Sequence, residues 1–408
     1  MSVVEKKSTN EAAMAQATWA EVSLSALAAN YRRLQSAAAG AEVMGVVKAD
    51  GYGHGAAQCA LALAQANEIP AQWLGVTDAA EGAAVRRAVK DPAVRILLMR
   101  GLLAGEIESA MEAALTPVVW TVAQMDALEA AAVRLDIKEF AVHMEIDTGM
   151  SRQGVSPAEL PAMLARFTQS SPLRLEGVMT HFAAAEEVAS PQNDSQMKIF
   201  EQALEQIRAA GLRPEWIHAG STSTVDAGSA LPVLLRLAER SKTRLMCRAG
   251  IGLYGYALPL TGAASQVHGE LEPVLAWKTR ILSISDTAPG ARVGYNGTFI
   301  AEKPMRLALL PVGYADGLRR ELSNAGEVLI TGKRARIVGR VSMDVTIVDV
   351  TAVPGAKAGD EVVILGTQGG ERITADDHAR IAGTIAYEIL CGINVRVPRC
   401  YLSGDEQS

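Results

Sequence analysis

Four short β-rich runs of this chain end in ionisable residues. Lys48 closes the run 44–47, and His181 closes 174–180. Arg248 follows 243–247, and His143, Glu145 and Asp147 alternate along 139–147, with Arg152 just beyond. A lone histidine at such a place reads as a hydrogen-bonded core residue, and a lone arginine as an ion-pair partner. Four runs ending this way point to a site, because burying charge without a role is costly. Lys48 carries the most chemistry. Desolvation at the end of an apolar strand lowers an amine's pKa, and a neutral amine can form a Schiff base with a carbonyl. The bland reading, a lysine that snorkels to solvent, stays open on this feature alone.

Two small-residue loops could cradle a phosphate. His218-Ala219-Gly220-Ser221-Thr222-Ser223 precedes a helical stretch, and Arg248-Ala249-Gly250-Ile251-Gly252 follows the next strand. Backbone N–H groups at helix N-termini bind phosphate, though a plain helix cap has the same composition. A strand-end lysine combined with such loops suggests pyridoxal 5′-phosphate. His143, Glu145 and Asp147 share one strand face and could ligate a divalent ion. No second cluster supplies further ligands, so no metal is expected.

The elements that must position these groups alternate. Short β-rich runs (43–48, 73–77, 95–99, 116–121, 139–146, 174–181, 215–218 and 243–247) are separated by Ala/Leu-rich helical stretches. Several strands are apolar on both faces, as buried parallel strands are. Eight βα units over about 250 residues is the arithmetic of a (β/α)8 TIM-type barrel, whose active residues sit at the C-terminal strand ends. An open doubly wound sheet is the alternative, but the glycines after the first strand do not match GxGxxG. Beyond residue 268 turns crowd in and Val/Ile-rich strands appear at 328–330, 334–338, 345–350 and 361–365, giving a mainly β C-terminal domain. The expected division is a disordered tail over 1–17, the barrel over 18–268 and the β domain over 269–408.

The 408 residues are 49% hydrophobic with a net charge of −6, enough for well-buried cores and without the basic stripe of a nucleic-acid binder. No apolar run reaches the ~18 residues of a membrane helix. The start lacks the order of a secretory signal, so a cytoplasmic protein with reduced thiols is expected.

Seven ordered blocks resemble one family. Val46-Val47-Lys48-Ala49-Asp50-Gly51-Tyr52-Gly53-His54-Gly55 is similar to the cofactor-lysine signature of alanine racemases. Asp147-Thr148-Gly149-Met150-Ser151-Arg152, Thr180-His181-Phe182, and Arg248-Ala249-Gly250-Ile251 with Tyr254-Gly255 follow in order. So do Gly313-Tyr314-Ala315-Asp316-Gly317, Ser342-Met343-Asp344 and Tyr387-Glu388-Ile389. The resemblance implies an isomerase that interconverts L- and D-alanine with pyridoxal 5′-phosphate, supplying D-alanine for peptidoglycan. It implies a head-to-tail homodimer with shared active sites, and a small amino-acid substrate. A broad-spectrum amino-acid racemase is the alternative.

Carried onto this sequence, the resemblance makes Lys48 the cofactor lysine and the base on the D side. Tyr314, from the partner's β domain, becomes the base on the L side. Arg248 meets the pyridine nitrogen, and His181 packs near the ring and links to Tyr314. Arg152 and the Met343 backbone meet the substrate carboxylate. Tyr52, Thr222, Gly250, Ile251 and Tyr387 gather round the phosphate. The chain departs from the family at two places. Where much of the family has a lysine that becomes carbamylated and orients the arginine, this chain has Glu145. No carbamate is therefore expected, with Glu145 holding Arg152 directly or through water. The phosphate loop reads Ser221-Thr222 where the family has Asn-Ser. A single-barrel cofactor carrier would lack the second domain and Tyr314. A decarboxylase on the two-domain plan would face the pyridine nitrogen with a carboxylate.

Overall fold

The computed structural model describes Asn10, Ala12 and residues 14–403 except His268. The chain divides into two compact units. One is a closed barrel of eight parallel strands: Glu42–Val46, Trp73–Val76, Arg95–Leu98, Thr116–Val119, Phe140–Glu145, Leu173–Met179, Trp216–Ser221 and Arg244–Ala249. All eight expected strands are present. Their residues are almost wholly buried, as strands of a parallel barrel are.

Helices follow the strands, and their starts are written locally. Asp78 accepts from Glu81 N at 2.9 Å to cap Ala79–Ala88. Thr121 and Gln124 form a reciprocal capping box on Val122–Arg134. The register shifts at two places in the barrel, beside His143 and beside His218. Such shifts re-aim side chains. Here they accompany two fully buried imidazoles inside the barrel. Gly177 makes room for one of them: a Cβ there would lie 2.5 Å from the His143 ring.

The other unit is built on β-sheets. Its largest sheet runs in the order Lys333–Arg336, Glu327–Ile330, Glu361–Gln368, Leu275–Arg280, Thr18–Ser23, Arg399–Leu402. Glu371–Ile373 pairs with Glu361–Gln368 off this path. A three-stranded sheet joins Ser283–Thr287, Met305–Leu310 and Thr346–Asp349.

The structure corrects the expected boundaries. Thr18–Ser23 was expected to open the barrel domain. It lies instead antiparallel to Leu275–Arg280 and parallel to Arg399–Leu402. The sequence offers a reason: Ala20 and Val22 are fully buried between two strand neighbours, which a frayed barrel lead-in could not provide. The β unit comprises Met1–Ala26, Tyr52–Gly55 and Pro273–Ser408, so four residues of the cofactor-lysine motif cluster with it. The expected tail over 1–17 falls largely outside the described residues. Of the part described, Asn10 is fixed: its amide donates to Tyr401 O at 2.8 Å and its carbonyl accepts from Tyr401 N at 3.0 Å.

A chain beginning at Leu24 loses a strand with partners on both sides. Compared with a chain beginning at Thr18, its thermal midpoint should fall by about 5 °C or more, since ~1 kcal/mol moves a domain of this size by ~2–4 °C. Equal midpoints in a melting experiment would contradict the placement.

Candidate active site

The C-terminal ends of the barrel strands gather Lys48, Glu145, His181, Thr222 and Arg248. Lys48 is half-buried just past the first strand, where Val47 still donates to Gly75 O at 2.8 Å. The backbone then turns left-handed: Ala49 (φ 52°, ψ 50°), Asp50 (φ 52°, ψ 46°) and Gly51 (φ 62°, ψ 44°), with Tyr52 at φ 52°.

Arg248 is 6% exposed, and its guanidinium is clamped. Nη1 donates to His218 O at 2.9 Å and to His218 Nδ1 at 3.2 Å. Nη2 donates to Thr180 O at 2.8 Å and to His181 Nδ1 at 3.1 Å. A guanidinium only donates, so both histidines must present an unprotonated Nδ1 and carry their proton on Nε2. His218 Nε2–H therefore donates to His143 Nδ1 at 2.8 Å. That leaves the His143 proton on Nε2, 3.4 Å from Glu176 Oε2. Glu176 in turn accepts from Arg95 Nη2 at 2.7 Å and Arg174 Nη2 at 2.9 Å. A chain of fixed donors and acceptors thus crosses the barrel interior from Glu176 to Arg248.

The charges agree with these tautomers. Burial drives His218 well below its ordinary pKa, helped by His143 and Arg248. Burial lowers His181 to about 3, and Arg248, Arg152 and Lys48 push the same way. Of the three, Arg248 touches the ring, at 3.1 Å. Burial lowers Arg248 as well, while Glu145 opposes that shift. Glu176 falls to about 2; burial opposes the shift, but His143 and Arg95 outweigh it.

The direct pairing of Glu145 with Arg152 that the sequence suggested is not formed among the described residues. The Glu145 carboxylate, 2% exposed, accepts from Gln153 Nε2 at 2.5 Å. Arg152 is exposed, and among the described residues no ion pair joins it to Glu145. The reason is geometric. Gln153, the next residue, uses its amide on both Glu145 and Met99 O, the latter at 3.1 Å. Glu145 thus fixes the loop that carries Arg152 and acts on Arg152 and Arg248 only as a nearby negative charge. The sequence did not single out Gln153. Its place right after the arginine was the available signal.

Thr222 opens the helix Thr222–Ala227, and its Oγ1 accepts from Gly250 N at 3.2 Å and Gly252 N at 3.3 Å. The two loops expected to cradle phosphate, with Ile251 buried in the second, are thereby tied together. His143, the metal candidate, is spent in the interior chain. Among the described residues no group of three His, Cys, Asp or Glu side chains is placed to hold a metal ion.

The remaining expected residues lie in the β unit. Tyr52 is buried, its ring 5.9 Å from Tyr387. Burial pushes the Tyr52 hydroxyl well above its ordinary pKa. Tyr314 and Met343 are brought together and left exposed, at 43% and 54%. Tyr314 N donates to Ser342 O at 3.0 Å, and Ala315 N to Met343 O at 3.0 Å. Gly313 permits this approach, because a Cβ there would meet the Ser342 and Met343 carbonyl oxygens at 2.3 Å. Asp316 accepts from Gly313 N at 2.8 Å and pairs with Arg396 at 2.9 Å, which locks the turn.

A family model described as the alanine racemase N-terminal domain matches residues 22–258, and one for the C-terminal domain matches 274–401. The chain belongs to the alanine racemase family. It is 40% identical over 385 residues to an alanine racemase of Symbiobacterium thermophilum, covering 94% of this chain and 97% of that one. It is 36% identical to the Halothermothrix orenii alanine racemase, over 94% of this chain and 96% of that one. The alanine racemase structure from Streptomyces lavendulae aligns with a TM-score of 0.84 at 32% identity, covering 95% of this chain and 98% of that one. The Bartonella henselae alanine racemase, solved with covalently bound pyridoxal phosphate, aligns with a TM-score of 0.78 at 27% identity, covering 95% of this chain and all (100%) of that one.

The residues present fit that cofactor. Arg248 has five N–H donors, and four are committed to the protein. Among the described residues the Nε–H has no partner, and it suits an unprotonated ring nitrogen. A lysine at one strand end and the Thr222 hydroxyl at another, which accepts from Gly250 and Gly252 and so keeps its own proton to donate, complete the donor set.

Gln153→Leu would leave the buried Glu145 carboxylate without its donor. It should cost about 1–3 kcal/mol of stability at pH 8. Burial already raises the Glu145 pKa, so the cost should shrink as the pH falls and the carboxyl protonates without a partner. Denaturant midpoints of both proteins across pH 5–8 test this. A gap that does not change with pH would contradict it.

Proposed function

We propose that this protein interconverts L- and D-alanine with pyridoxal 5′-phosphate held on Lys48. The observation that carries the reading is the clamped Arg248, whose spare donor shares the barrel mouth with Lys48. When bound, the cofactor supplies the electron sink that makes the substrate Cα–H acidic. The chain's own residues do the rest. Lys48 takes or returns the Cα proton on one face. Tyr314, from the β unit of a second copy in a homodimer, does so on the other. His181, neutral and with its proton on Nε2, can donate to a tyrosinate at Tyr314. Arg152 and the Met343 backbone receive the substrate carboxylate. Tyr52, Tyr387, Thr222, Gly250 and Ile251 receive the phosphate. Exposure of Tyr314 and Met343 supports the shared site, since a proton acceptor needs a partner surface to exclude water.

A guanidinium facing the ring nitrogen, rather than a carboxylate, would leave that nitrogen unprotonated. This weakens the sink and disfavours transamination and decarboxylation. The curated relatives are alanine racemases, which favours alanine over a broad amino-acid range. No helix among the described residues is long and apolar enough to cross a membrane. We place the enzyme in the cytoplasm, where its thiols stay reduced and its D-alanine feeds peptidoglycan.

The test is isotopic. With Cα-deuterated L-alanine in water, the wild type should wash out the label and yield both enantiomers. Retained label, or an amine product, would refute the reading. Tyr314→Phe should lose activity by roughly 10²–10⁴-fold while keeping the cofactor's visible absorbance. Lys48→Ala should lose that absorbance. Full activity in Tyr314→Phe, or an unchanged borohydride-trapped adduct in Lys48→Ala, would remove these residues from their roles.

A further inference from the structure

The turn after Lys48 is strained, and something outside it must hold it. Ala49, Asp50 and Tyr52 are non-glycine residues with left-handed backbone, flanking Gly51. Each such residue is disfavoured relative to a right-handed turn, so the conformation persists only where its surroundings over-determine it. Some restraints are internal: Gly51 N donates to Val47 O at 2.8 Å, and Asp50 Oδ1 accepts from Ala56 N at 2.9 Å. Another comes from a different βα unit. Glu81 sits in the first turn of the helix Ala79–Ala88, and Asp78 already caps that helix. One oxygen of the Glu81 carboxylate accepts from Ala49 N at 2.8 Å. The other accepts from Thr77 N at 2.9 Å.

We infer that Glu81 is a positioning residue: it fixes the backbone immediately after Lys48 by bridging the Ala49 and Thr77 amides. The inference rests on the proposed role of Lys48 only for its kinetic consequence. A carboxylate suits the task, since its two oxygens accept from N–H groups at two neighbouring strand ends, and charge strengthens both bonds. The amide it holds is one peptide from the lysine. Losing the bond frees the turn to relax toward right-handed dihedrals, which re-aims the Lys48 side chain. A displacement near 1 Å at a reacting group costs up to about 10²-fold in rate.

Hydrogen exchange of the full-length protein without added substrate, read by mass spectrometry over residues 47–55, measures the restraint directly. Glu81→Leu should speed exchange at the Ala49 amide at least tenfold, and should lower kcat for alanine by about 10- to 100-fold with a smaller change in KM. Glu81→Gln keeps the shape but can accept through only one oxygen, so it should fall between wild type and Glu81→Leu. It also provides the reading if the leucine variant fails to fold. Asp78→Ala is the control for mere helix loss. It removes the cap of the same helix and should lower the melting temperature while leaving Ala49 exchange and kcat unchanged. Unchanged exchange at Ala49 in both Glu81 variants would overturn the proposal. So would faster exchange with wild-type kcat, or an Asp78→Ala variant that reproduces the Glu81 effects. If the protein proves not to racemise alanine, the exchange arm still decides the role of Glu81 in the turn.

Discussion

A buried guanidinium is the constraint around which the barrel mouth is arranged. Arg248 can stay charged inside the protein only if its donors find acceptors, and four of them end on two carbonyls and two imidazoles. That requirement fixes the protonation of His181 and His218. It passes through His143 to Glu176, and Glu176 is held by two arginines on the far side. Substituting one link would leave the next with a buried group of the wrong polarity. The register shifts beside His143 and His218, and the missing side chain at Gly177, are what the backbone contributes to seating the chain.

The net charge at the mouth is positive. Lys48, Arg152 and Arg248 all depress His181, and Glu145 is the buried carboxylate beside them. Such a field suits a doubly anionic cofactor and a substrate carboxylate. It also explains why Glu145 is tolerated with a single strong hydrogen bond: its stabilisation comes from two guanidiniums at longer range as well as from Gln153. The β unit contributes rigidity of a different kind. Its tyrosine turn is locked by Asp316 and Arg396, yet Tyr314 itself is left outside.

The barrel was legible because several of its eight strands are apolar on both faces, the mark that buried parallel strands leave, and helical stretches separate all eight. The ends of those strands also gave Lys48, His181 and Arg248. Thr18–Ser23 was misplaced because a short strand carries no record of which sheet it joins; pairing with strands more than 250 residues away is a tertiary fact. Ser283–Thr287 was missed because its side chains are mostly polar and exposed. Glu145 was read by analogy as the partner of Arg152. Its true hydrogen-bond donor depends on how the loop 147–153 folds back, which spacing alone does not encode. The interior chain from Glu176 to His218 was invisible for the same reason. Its members come from three different strands and meet only once the barrel closes.

The protonation of the histidines that hold Arg248 is the most direct measure of this account. In protein labelled with ¹⁵N at histidine, the ring signals of His181 and His218 should show an unprotonated Nδ1 and a protonated Nε2. That pattern should persist from pH 8 down to pH 5, because both groups titrate far below their ordinary range. Signals of a doubly protonated imidazolium at either residue near pH 6 would contradict it, since a charged ring cannot accept from Arg248.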